Sequence, residues 1–332
     1  MDLNEEWESF QLDSSDTPAS LPQEVGEVPQ PSPLYISTQT YIAYLDQPID
    51  LKSVFWELYV IPYTIPEVGI VKKQMKFNSN TSEEVAWIDS KMHEYEYGYP
   101  TIIQHIDNAN GTVKFKDIRK VTIGISRKDL LSYRIKPKGA FYNCIVTIIR
   151  IRLEERFREF HVKIFNTGKI EIPGIQTHAH ISMIVEILLG ELHKIIPSVR
   201  YVSESEQIVL INSNFNCGYF INREKLFTQL KYKYHISSVY DPCSYPGIQS
   251  QLYFDKDTLV FNRTDLPSVS FMVFRTGSIL IVGKCTEPMI HHMYEYISTL
   301  LIEECSNIID TNCVHVKKEL HPKKIKKIIS LK

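Results

Sequence analysis

Two eleven-residue stretches of the chain share one pattern of apolar and polar positions. The first runs from Ile164 to Gly174 and the second from Val273 to Gly283, and both read apolar-Phe-x-Thr-Gly-x-Ile-x-Ile-x-Gly. β-Branched residues that alternate on either side of a Thr-Gly pair are typical of a β-hairpin. The sequence therefore predicts two hairpins in equivalent positions of an internal repeat.

An amphipathic helix is predicted after each hairpin. Thr177 is placed to cap the first helix and Thr286 the second, which carries Pro288 in its first turn. Apolar residues recur on one face of each: Ile181, Val185, Leu188, Leu192 and Ile195, then Met289, Met293, Ile297, Leu300 and Leu301. A hairpin and helix repeated in this way indicate a duplicated half-domain.

The remaining pattern fits the same repeat. In the first half we expect a strand over Leu34–Leu45, a helix over Leu51–Tyr59 capped by Asp50, and strands at 145–149 and 160–162. In the second half we expect a strand over Gln207–Phe215, a helix over Asn222–Leu230 and strands near Leu252 and Leu259. Residues 66–139 are expected to be an insertion with some β structure, including a turn at Asn110-Gly111. This order predicts an α+β fold with an antiparallel sheet.

Charge is concentrated at the two ends of the chain. Residues 1–33 contain eight acidic and no basic side chains, with Trp7 and Phe10 as their only aromatics, which predicts a disordered acidic arm. Seven lysines and one glutamate lie in 317–332, so 311–332 is expected to be a basic tail. The formal net charge of −2 leaves residues 34–316 near neutral. A neutral body is unusual for a protein that grips phosphates.

Composition and motifs exclude several classes of protein. The apolar fraction of 43% and charged fraction of 23% are those of a globular chain, and no apolar run approaches about 18 residues, so no membrane is expected. The acidic start argues against a secretory signal, and six scattered cysteines without a C-x-x-C pair favour an intracellular location. Because no phosphate loop, paired-carboxylate motif or nucleophile elbow is present, no enzyme activity and no cofactor is expected. The histidine pairs at 178/180 and 291/292 lack further ligands, so no metal is expected either.

The chain resembles the TATA-box-binding protein family. Both hairpins match the repeated Phe-x-Ser/Thr-Gly-Lys element of that family, with a helix after each. Residues 240–248, Tyr-Asp-Pro-Cys-Ser-Tyr-Pro-Gly-Ile, are similar to its Tyr-Glu-Pro-x-x-Phe-Pro-Gly segment, and residues 49–53 are similar to its Leu-Asp-Leu-Lys-Thr. The resemblance covers about 34–65 and 141–305, and the divergence looks most like the versions carried by large cytoplasmic DNA viruses.

This resemblance implies a saddle with two pseudo-symmetric halves, one over 34–197 and one over 198–310. The halves would form one curved antiparallel sheet with helices on the convex face. It also implies a transcription initiation factor that bends A·T-rich promoter DNA through the minor groove, with phenylalanines inserted between base steps. Expected partners are a factor of the TFIIB type and RNA polymerase. The expected location is a host cytoplasmic virus factory or virion for a viral protein, and otherwise the nucleus.

Strand alternation then selects the DNA-facing residues, because one set in each hairpin must face the helices. In the second half the opposite set is Met272, Phe274, Leu280 and Val282, so both faces are apolar, as a groove-binding surface requires. In the first half the set includes Lys163, Phe165, Glu171 and Pro173, and Glu171 there is unfavourable beside phosphates. The remaining expected contacts are Lys169, Thr38, Thr40, Tyr245, Pro246, and Asn212 or Asn214, with Phe141 or Tyr142 as the partner ring of the first half.

Two other functions remain open at this stage. A saddle that binds proteins instead of DNA is favoured by Glu171 and the neutral body. An enzyme is possible in principle, since DNA glycosylases and one type of RNase H carry related half-saddles, but the chain has no room for their catalytic domain. The acidic arm is either a solvating tail or a competitor of DNA. As a competitor, Trp7 and Phe10 would occupy the sites of DNA bases, and the carboxylates would take the place of phosphates.

Overall fold

The computed structural model describes residues 28–131, 141–253 and 268–310. These form two compact units. Residues 37–211 make up the N-terminal unit, and residues 28–36 together with 212–310 make up the C-terminal unit. Most of the predicted arm, the predicted basic tail and the strand expected near Leu259 lie outside the described residues.

The N-terminal unit is built on an antiparallel sheet with the strand order β3-β4-β2-β5-β6-β7-β1. Its elements are β1 (Tyr35–Leu45), α1 (Leu51–Glu57), β2 (Gly69–Ser79), α2 (Ser82–Met92), β3 (Gly98–Asp107), β4 (Phe115–Gly124), α3 (Arg127–Leu131), β5 (Cys144–Leu153), β6 (Arg156–Phe165), β7 (Lys169–Ile175) and α4 (His178–Leu192). β8 (Tyr201–Asn216) follows and has residues in both units.

The C-terminal unit repeats this arrangement in a shorter form. After the last residues of β8 come α5 (Arg223–Thr228), a π-helical turn (Gln229–Lys233), β9 (Ser237–Val239), β10 (Ile248–Tyr253), β11 (Ser268–Val273), β12 (Ser278–Gly283) and α6 (Glu287–Ile308). The strand order is β8-β12-β11-β10-β9, with antiparallel pairing between β9 and β10, β10 and β11, and β11 and β12. The predicted α+β class with an antiparallel sheet is therefore confirmed.

Equivalent backbone hydrogen bonds mark the repeat within the two units. In each unit the carbonyl of the turn glycine accepts a hydrogen bond from a residue at the end of the first strand. Leu45 N–H donates to the Gly168 carbonyl (2.8 Å), and Cys217 N–H donates to the Gly277 carbonyl (2.9 Å). The residue two positions before each turn glycine accepts a second hydrogen bond. Ile49 N–H donates to the Asn166 carbonyl, and Ile221 N–H donates to the Arg275 carbonyl, both at 2.9 Å. The hairpin turn thus fixes the start of the short helix that follows the first strand of each unit.

The predicted insertion belongs to the sheet of the N-terminal unit. β2 pairs with β5, and β4 and β3 continue the sheet beyond β2. Asn110-Gly111 lies in the turn between β3 and β4, as expected, where Gly111 N–H donates to the Asn108 carbonyl (3.0 Å). Five strands, β2-β5-β6-β7-β1, therefore match the five of the C-terminal unit, and two are additional.

One face of each sheet packs against the helices and forms the core. In the N-terminal unit the predicted helix face is buried at Ile181, Val185, Leu188 and Leu192, against strand residues such as Ile145, Val162, Ile164 and Ile170. In α6 the buried residues include Met293, Ile297, Leu300 and Leu301 as predicted, and Ile290 is buried where Met289 was expected. We call this side of each sheet the helix side and the other side the open side.

Helix capping differs from the prediction at two of three sites. Asp50 accepts from Lys52 N–H (3.1 Å), as expected. Thr177 and Thr286 precede their helices, but neither side chain makes a capping hydrogen bond. In α4 the backbone carbonyl of Thr177 takes the N–H of His180 instead (3.1 Å), and in α6 Pro288 has no N–H to offer.

Candidate nucleic-acid interface

The hairpin of β11 and β12 presents its two sets of residues to opposite sides, as alternation predicts. Val273, Ile279 and Ile281 face the helix side and are fully buried. Met272 lies opposite Leu280 in the register of the two strands. Both point to the open side, together with Phe274.

These open-side residues form a small apolar cluster of their own. Met272, Phe274 and Leu280 pack together, with Tyr245 partly buried against them, and we call these four residues the open-side cluster. The rings of Tyr245 and Phe274 lie 5.9 Å apart at 59°. A Cβ at Gly247 would lie 2.8 Å from the Phe274 ring, so only glycine leaves space for this ring position. Phe274 is only 3% exposed as a result.

Uncharged polar side chains surround the cluster on the same side. Gln249 lies opposite Met272, and Gln251 lies opposite Ser270. On β12, the other neighbour of β11, Val282 pairs with Ser270. Neither glutamine was among the predicted contacts, although the alternation with Ile248, Ser250 and Leu252 places both on the open side.

Alternation in β8 also places both candidate asparagines on the open side. Ile211, Ser213 and Phe215 are buried on the helix side, where the Ser213 hydroxyl donates to the Ile281 carbonyl (3.1 Å). Asn212 and Asn214 alternate with them and are half-buried. The two asparagines that sequence reasoning could not choose between therefore share one side.

The loop that carries Tyr245 and Pro246 is held by polar contacts. The Asp241 carboxylate accepts from the Ser244 hydroxyl and from Cys243 N–H, and the Ser244 hydrogen bond is the main cause that lowers the Asp241 pKa. The Arg223 guanidinium donates to the Pro246 carbonyl and lies over the Tyr240 ring (5.4 Å). Pro246 itself is exposed. These contacts hold the loop in place, with the Tyr245 ring packed against Phe274.

The open side of the N-terminal unit is charged instead of apolar. Lys163 and Glu171 are directly opposite in β6 and β7, and their side chains form an ion pair at 2.6 Å. Lys163 Nζ lies 4.6 Å from the Phe141 ring, and Lys169 Nζ lies 5.4 Å from the half-buried Phe165 ring. Glu171 therefore neutralises the lysine that the sequence predicted as a phosphate contact.

A β-bulge explains the proline on this side. Gln39 pairs with Ile175 and Tyr41 with Ile172, so β7 has one more residue than β1 over this span. Pro173 and Gly174 occupy the bulge, and Gly174 has φ +83°. A bulge tolerates proline because the ladder is interrupted there. Thr40 lies on the open side between these pairs and is buried, and Thr38 is half-buried two residues earlier.

Both candidate partner rings of the first half are exposed. Phe141 is 55% exposed and contacts Lys163, whereas Tyr142 is 60% exposed and lies under Lys76 Nζ, 3.4 Å from its ring centre. Phe141 is thus the ring associated with the predicted hairpin site. The structure brings the four cluster residues together in the C-terminal unit, and it places Lys163, Phe165 and Lys169 in the N-terminal unit.

The first predicted histidine pair, His178 and His180, contacts a carboxylate and an aromatic ring. His178 Nε2 lies 2.8 Å from Glu206, and His180 is buried beside the Phe160 ring, 5.5 Å between centroids. Within the described ranges, no three His, Cys, Asp or Glu side chains are grouped in a way that could hold a metal ion. Among the same residues, no helix is both long and apolar enough to cross a membrane.

Solved structures that are similar to this chain include one from Methanococcus jannaschii. Methanococcus jannaschii TBP matches 82% of this chain and 99% of its own, with a TM-score of 0.40 and 13% sequence identity. No protein-family model and no curated protein sequence matches the chain.

Proposed function

We propose that the protein is a DNA-binding transcription initiation factor that binds and bends A·T-rich promoter DNA through the minor groove. The observation that supports this most directly is the open-side cluster, a buried apolar group separate from the helix-side core, with uncharged amides and a hydroxyl at neighbouring strand positions. An ordinary sheet exposes charged side chains on its solvent side. Here the neighbouring strand positions Gln249, Gln251, Ser270 and Val282 carry no charge.

The chemistry of this surface fits the minor groove of A·T base pairs. That groove presents only acceptor atoms at A·T pairs, whereas G·C pairs add an amino group that clashes with apolar contacts. Asn212, Gln249 and Gln251 can donate to those acceptors. The Tyr245 and Phe274 rings are a pair of wedges that can separate a base step, and unstacking is offset by the larger contact with bent DNA.

The two units would contribute unequally. In the N-terminal unit Lys163 is already paired with Glu171, so it has less to offer a phosphate than a lysine without a carboxylate partner. Phe165 is half-buried beside Lys169, whereas Phe274 is packed in the open-side cluster. We therefore assign most of the wedge insertion to the C-terminal unit.

The decisive experiment is a fluorescence bend assay with A·T-rich and G·C-rich duplexes. The wild-type protein should bend the A·T-rich duplex, and Phe274→Ala should lose about 1–3 kcal/mol of binding, the usual contribution of one stacked ring. Phe165→Ala should lose less. Tyr296→Ala in α6, a half-buried ring on the helix side, is the matched control and should bind normally. Equal losses from Phe274→Ala and Phe165→Ala would contradict the assignment to the C-terminal unit.

In this role the expected partners are a factor of the TFIIB type and RNA polymerase. The place of work would be a cytoplasmic virus factory or virion if the protein is viral, and the nucleus otherwise. Both assignments follow from the sequence resemblance and are part of the proposal.

A second candidate function is a protein-binding scaffold in a transcription complex that no longer binds DNA by itself. Two observations favour it: Tyr245 covers Phe274, and Glu171 neutralises Lys163. A purified TFIIB-type factor distinguishes the two. Tight binding to that factor, together with no bending of either duplex, would support the scaffold and overturn the DNA-bending proposal.

A further inference from the structure

A groove on the helix side of the N-terminal unit lies between α1 and α2. Its floor is the end of β2, where Phe77 is buried, and its walls carry two indoles, Trp56 from α1 and Trp87 from α2. The space between them has a volume of about 710 Å³. α1 belongs to the repeat, whereas α2 lies in the segment between β2 and β5 that is additional to the repeat. We call this space the tryptophan groove.

Helical spacing brings the lining residues of each helix to one side. In α1 the lining positions are 52, 53, 56 and 57, and in α2 they are 83, 84, 87, 88 and 91, so they recur at intervals of three and four residues. Thr81 caps α2 by accepting from Glu84 N–H (3.3 Å), which sets where this helix begins. Ile88 is buried in the core, and its neighbour Trp87 stays exposed at the rim of the groove.

The two indoles form the exposed end of an aromatic cluster. Their rings lie 5.6 Å apart at 83°, and the Trp56 ring lies 5.5 Å from Phe77 at 40°. Trp56 is half-buried, so its ring supports Trp87 from one side. Trp87 is 52% exposed, which leaves a large indole surface in contact with water. The face of an indole attracts cations through its quadrupole.

The carboxylate best placed beside these rings is Glu57. It follows Trp56 as the last residue of α1, and it is exposed. The Ser53 hydroxyl donates to it (2.9 Å), and a hydroxyl does not neutralise its charge. Lys91 on the opposite wall is paired with Glu94 (2.9 Å). Lys52, in the first turn of α1, is the other cation of the lining.

Two further carboxylates line the groove at the start of α2. Glu84 accepts from Asn80 N–H (2.8 Å), and a backbone hydrogen bond at the start of the helix lowers the pKa of Glu83. Both side chains are exposed, and both therefore add negative charge to the groove. The lining thus combines aromatic rings with an excess of carboxylates, which is complementary to a cation on an apolar support.

We propose that the tryptophan groove binds an arginine side chain of a partner protein, presented between apolar residues. The guanidinium lies against the Trp87 ring, and Glu57 accepts its N–H groups. Arginine fits better than lysine, because its planar group stacks on an indole and carries a fork of donors. The inference does not depend on the proposed function, since all these residues belong to the helix side of the N-terminal unit and not to the open side.

The test uses two synthetic peptides that differ in one side chain. Leucines surround a central residue, which is arginine in one peptide and citrulline in the other. Citrulline keeps the planar shape and lacks the charge. Calorimetric titration of the full chain should show that the arginine peptide binds about 3- to 30-fold more tightly, the usual range for a cation held over an indole. The difference should shrink as salt rises.

Substitutions on the two walls locate the binding site. Trp87→Ala and Glu57→Gln should each bring the affinity of the arginine peptide towards that of the citrulline peptide. Both side chains are exposed, so both variants should fold. Two matched controls should bind as wild type: Tyr232→Ala removes an exposed ring of the C-terminal unit, and Glu186→Gln removes an exposed charge of α4.

Tryptophan fluorescence gives a second readout. The chain has three tryptophans, at positions 7, 56 and 87. In a Trp7→Phe background the emission comes from the groove alone, so the arginine peptide should change it in proportion to binding. The citrulline peptide at the same concentration should change it less.

Two results would overturn the proposal. One is an arginine peptide that binds wild type no more tightly than the citrulline peptide; loss of both peptides on Trp87→Ala would then identify a purely apolar docking site. The other is an arginine peptide that binds Trp87→Ala and Glu57→Gln as tightly as wild type. Duplex bending is measured without either peptide, so failure of the DNA proposal leaves this one standing, and the reverse also holds.

Discussion

At the scale of single residues, Lys73 is the most unusual side chain in the core. It is fully buried, and its ammonium donates to the Leu58 carbonyl (2.6 Å) and the Trp56 carbonyl (3.3 Å) at the end of α1. Tyr95 and Phe55 present their rings at 4.9 and 5.2 Å. The lysine thus closes the end of a short helix that has no basic residue of its own in its last turn. Burial lowers the pKa of Lys73 to about 7.

This pKa makes stability depend on pH. Between about pH 7 and pH 10 the unfolded chain binds the lysine proton and the folded chain does not, so the free energy of unfolding should rise with pH. The rise contributed by this group is at most about 1.4 kcal/mol per pH unit. Lys73→Met should remove it, whereas Lys52→Met on the exposed side of α1 should not. Urea unfolding across this pH range gives the slopes, and equal slopes for wild type and Lys73→Met would refute the pKa assignment.

The expected effect of Glu171 on DNA binding depends on its position beside Lys163. Its carboxylate pairs with Lys163 at 2.6 Å on the open side, so it both repels phosphates and occupies a lysine. Glu171→Val should therefore tighten DNA binding, and the gain should shrink as salt rises. Glu186→Val, at an exposed position of α4, removes the same charge elsewhere and should have a smaller effect. Gel-shift titration at two salt concentrations measures both; an unchanged affinity for Glu171→Val would mean that Glu171 does not face the duplex.

At the scale of elements, the hairpin turns carry the most demanding backbone positions. Gly168 has φ +81° and Gly277 φ +78°, in the left-handed region that glycine adopts at low cost. A Cβ would lie 2.6 Å from the Gln47 carbonyl at the first turn and 2.3 Å from the Tyr219 carbonyl at the second. Backbone oxygens cannot move aside as a flexible side chain can, so both turns require glycine for two separate reasons.

Alanine at either turn should destabilise its unit. Gly168→Ala and Gly277→Ala should each cost more than about 1 kcal/mol, because strain and a backbone clash add. Gly190→Ala is the control: this glycine lies inside α4 with open space around it, so alanine should stabilise by roughly 0.5–1 kcal/mol. Thermal or urea unfolding measures all three. A neutral result at both turns would show that the hairpins can shift to accept a side chain.

At the scale of the whole molecule, the acidic arm enters the C-terminal unit at a fixed point. Ser32 N–H donates to the Asn216 carbonyl (2.7 Å), and Asn216 N–H donates to the Ser32 hydroxyl (2.9 Å). Tyr294 of α6 donates its hydroxyl to the Ser32 carbonyl (3.0 Å). A tether at this point keeps the acidic residues before it at high local concentration near the unit that carries the open-side cluster.

We predict that this arm competes with DNA and raises specificity. Removal of residues 1–27 leaves the Ser32 contacts in place and should increase DNA affinity, most clearly at low salt, where screening is weakest. Trp7→Ala with Phe10→Ala in the full chain should give part of the same gain. Competition binding with A·T-rich and G·C-rich duplexes is the measurement. If the shortened chain binds no more tightly at low ionic strength, the arm only solvates the protein.

The sequence by itself determined the features that depend on local chemistry. Two Thr-Gly turns, the alternation of Ile170 and Ile172 with polar neighbours, and the helical spacing of Ile181, Val185 and Leu188 predicted the hairpins, the helix faces and the α+β class. These predictions succeeded because side-chain direction follows from the period of the backbone, whatever lies around it. The same alternation separated the open side from the core at Phe274.

Only the tertiary structure decided which residues become neighbours across strands. That β3 and β4 extend the sheet could not be predicted, because edge strands are joined by backbone hydrogen bonds that any sequence can make. The pairing of Lys163 with Glu171, of Lys76 with Lys120, and of Tyr245 with Phe274 depends on strand register and on one loop. Burial of Lys73 likewise depends on the position of α1 over the sheet. Such contacts join distant parts of the chain, and only folding brings them within reach.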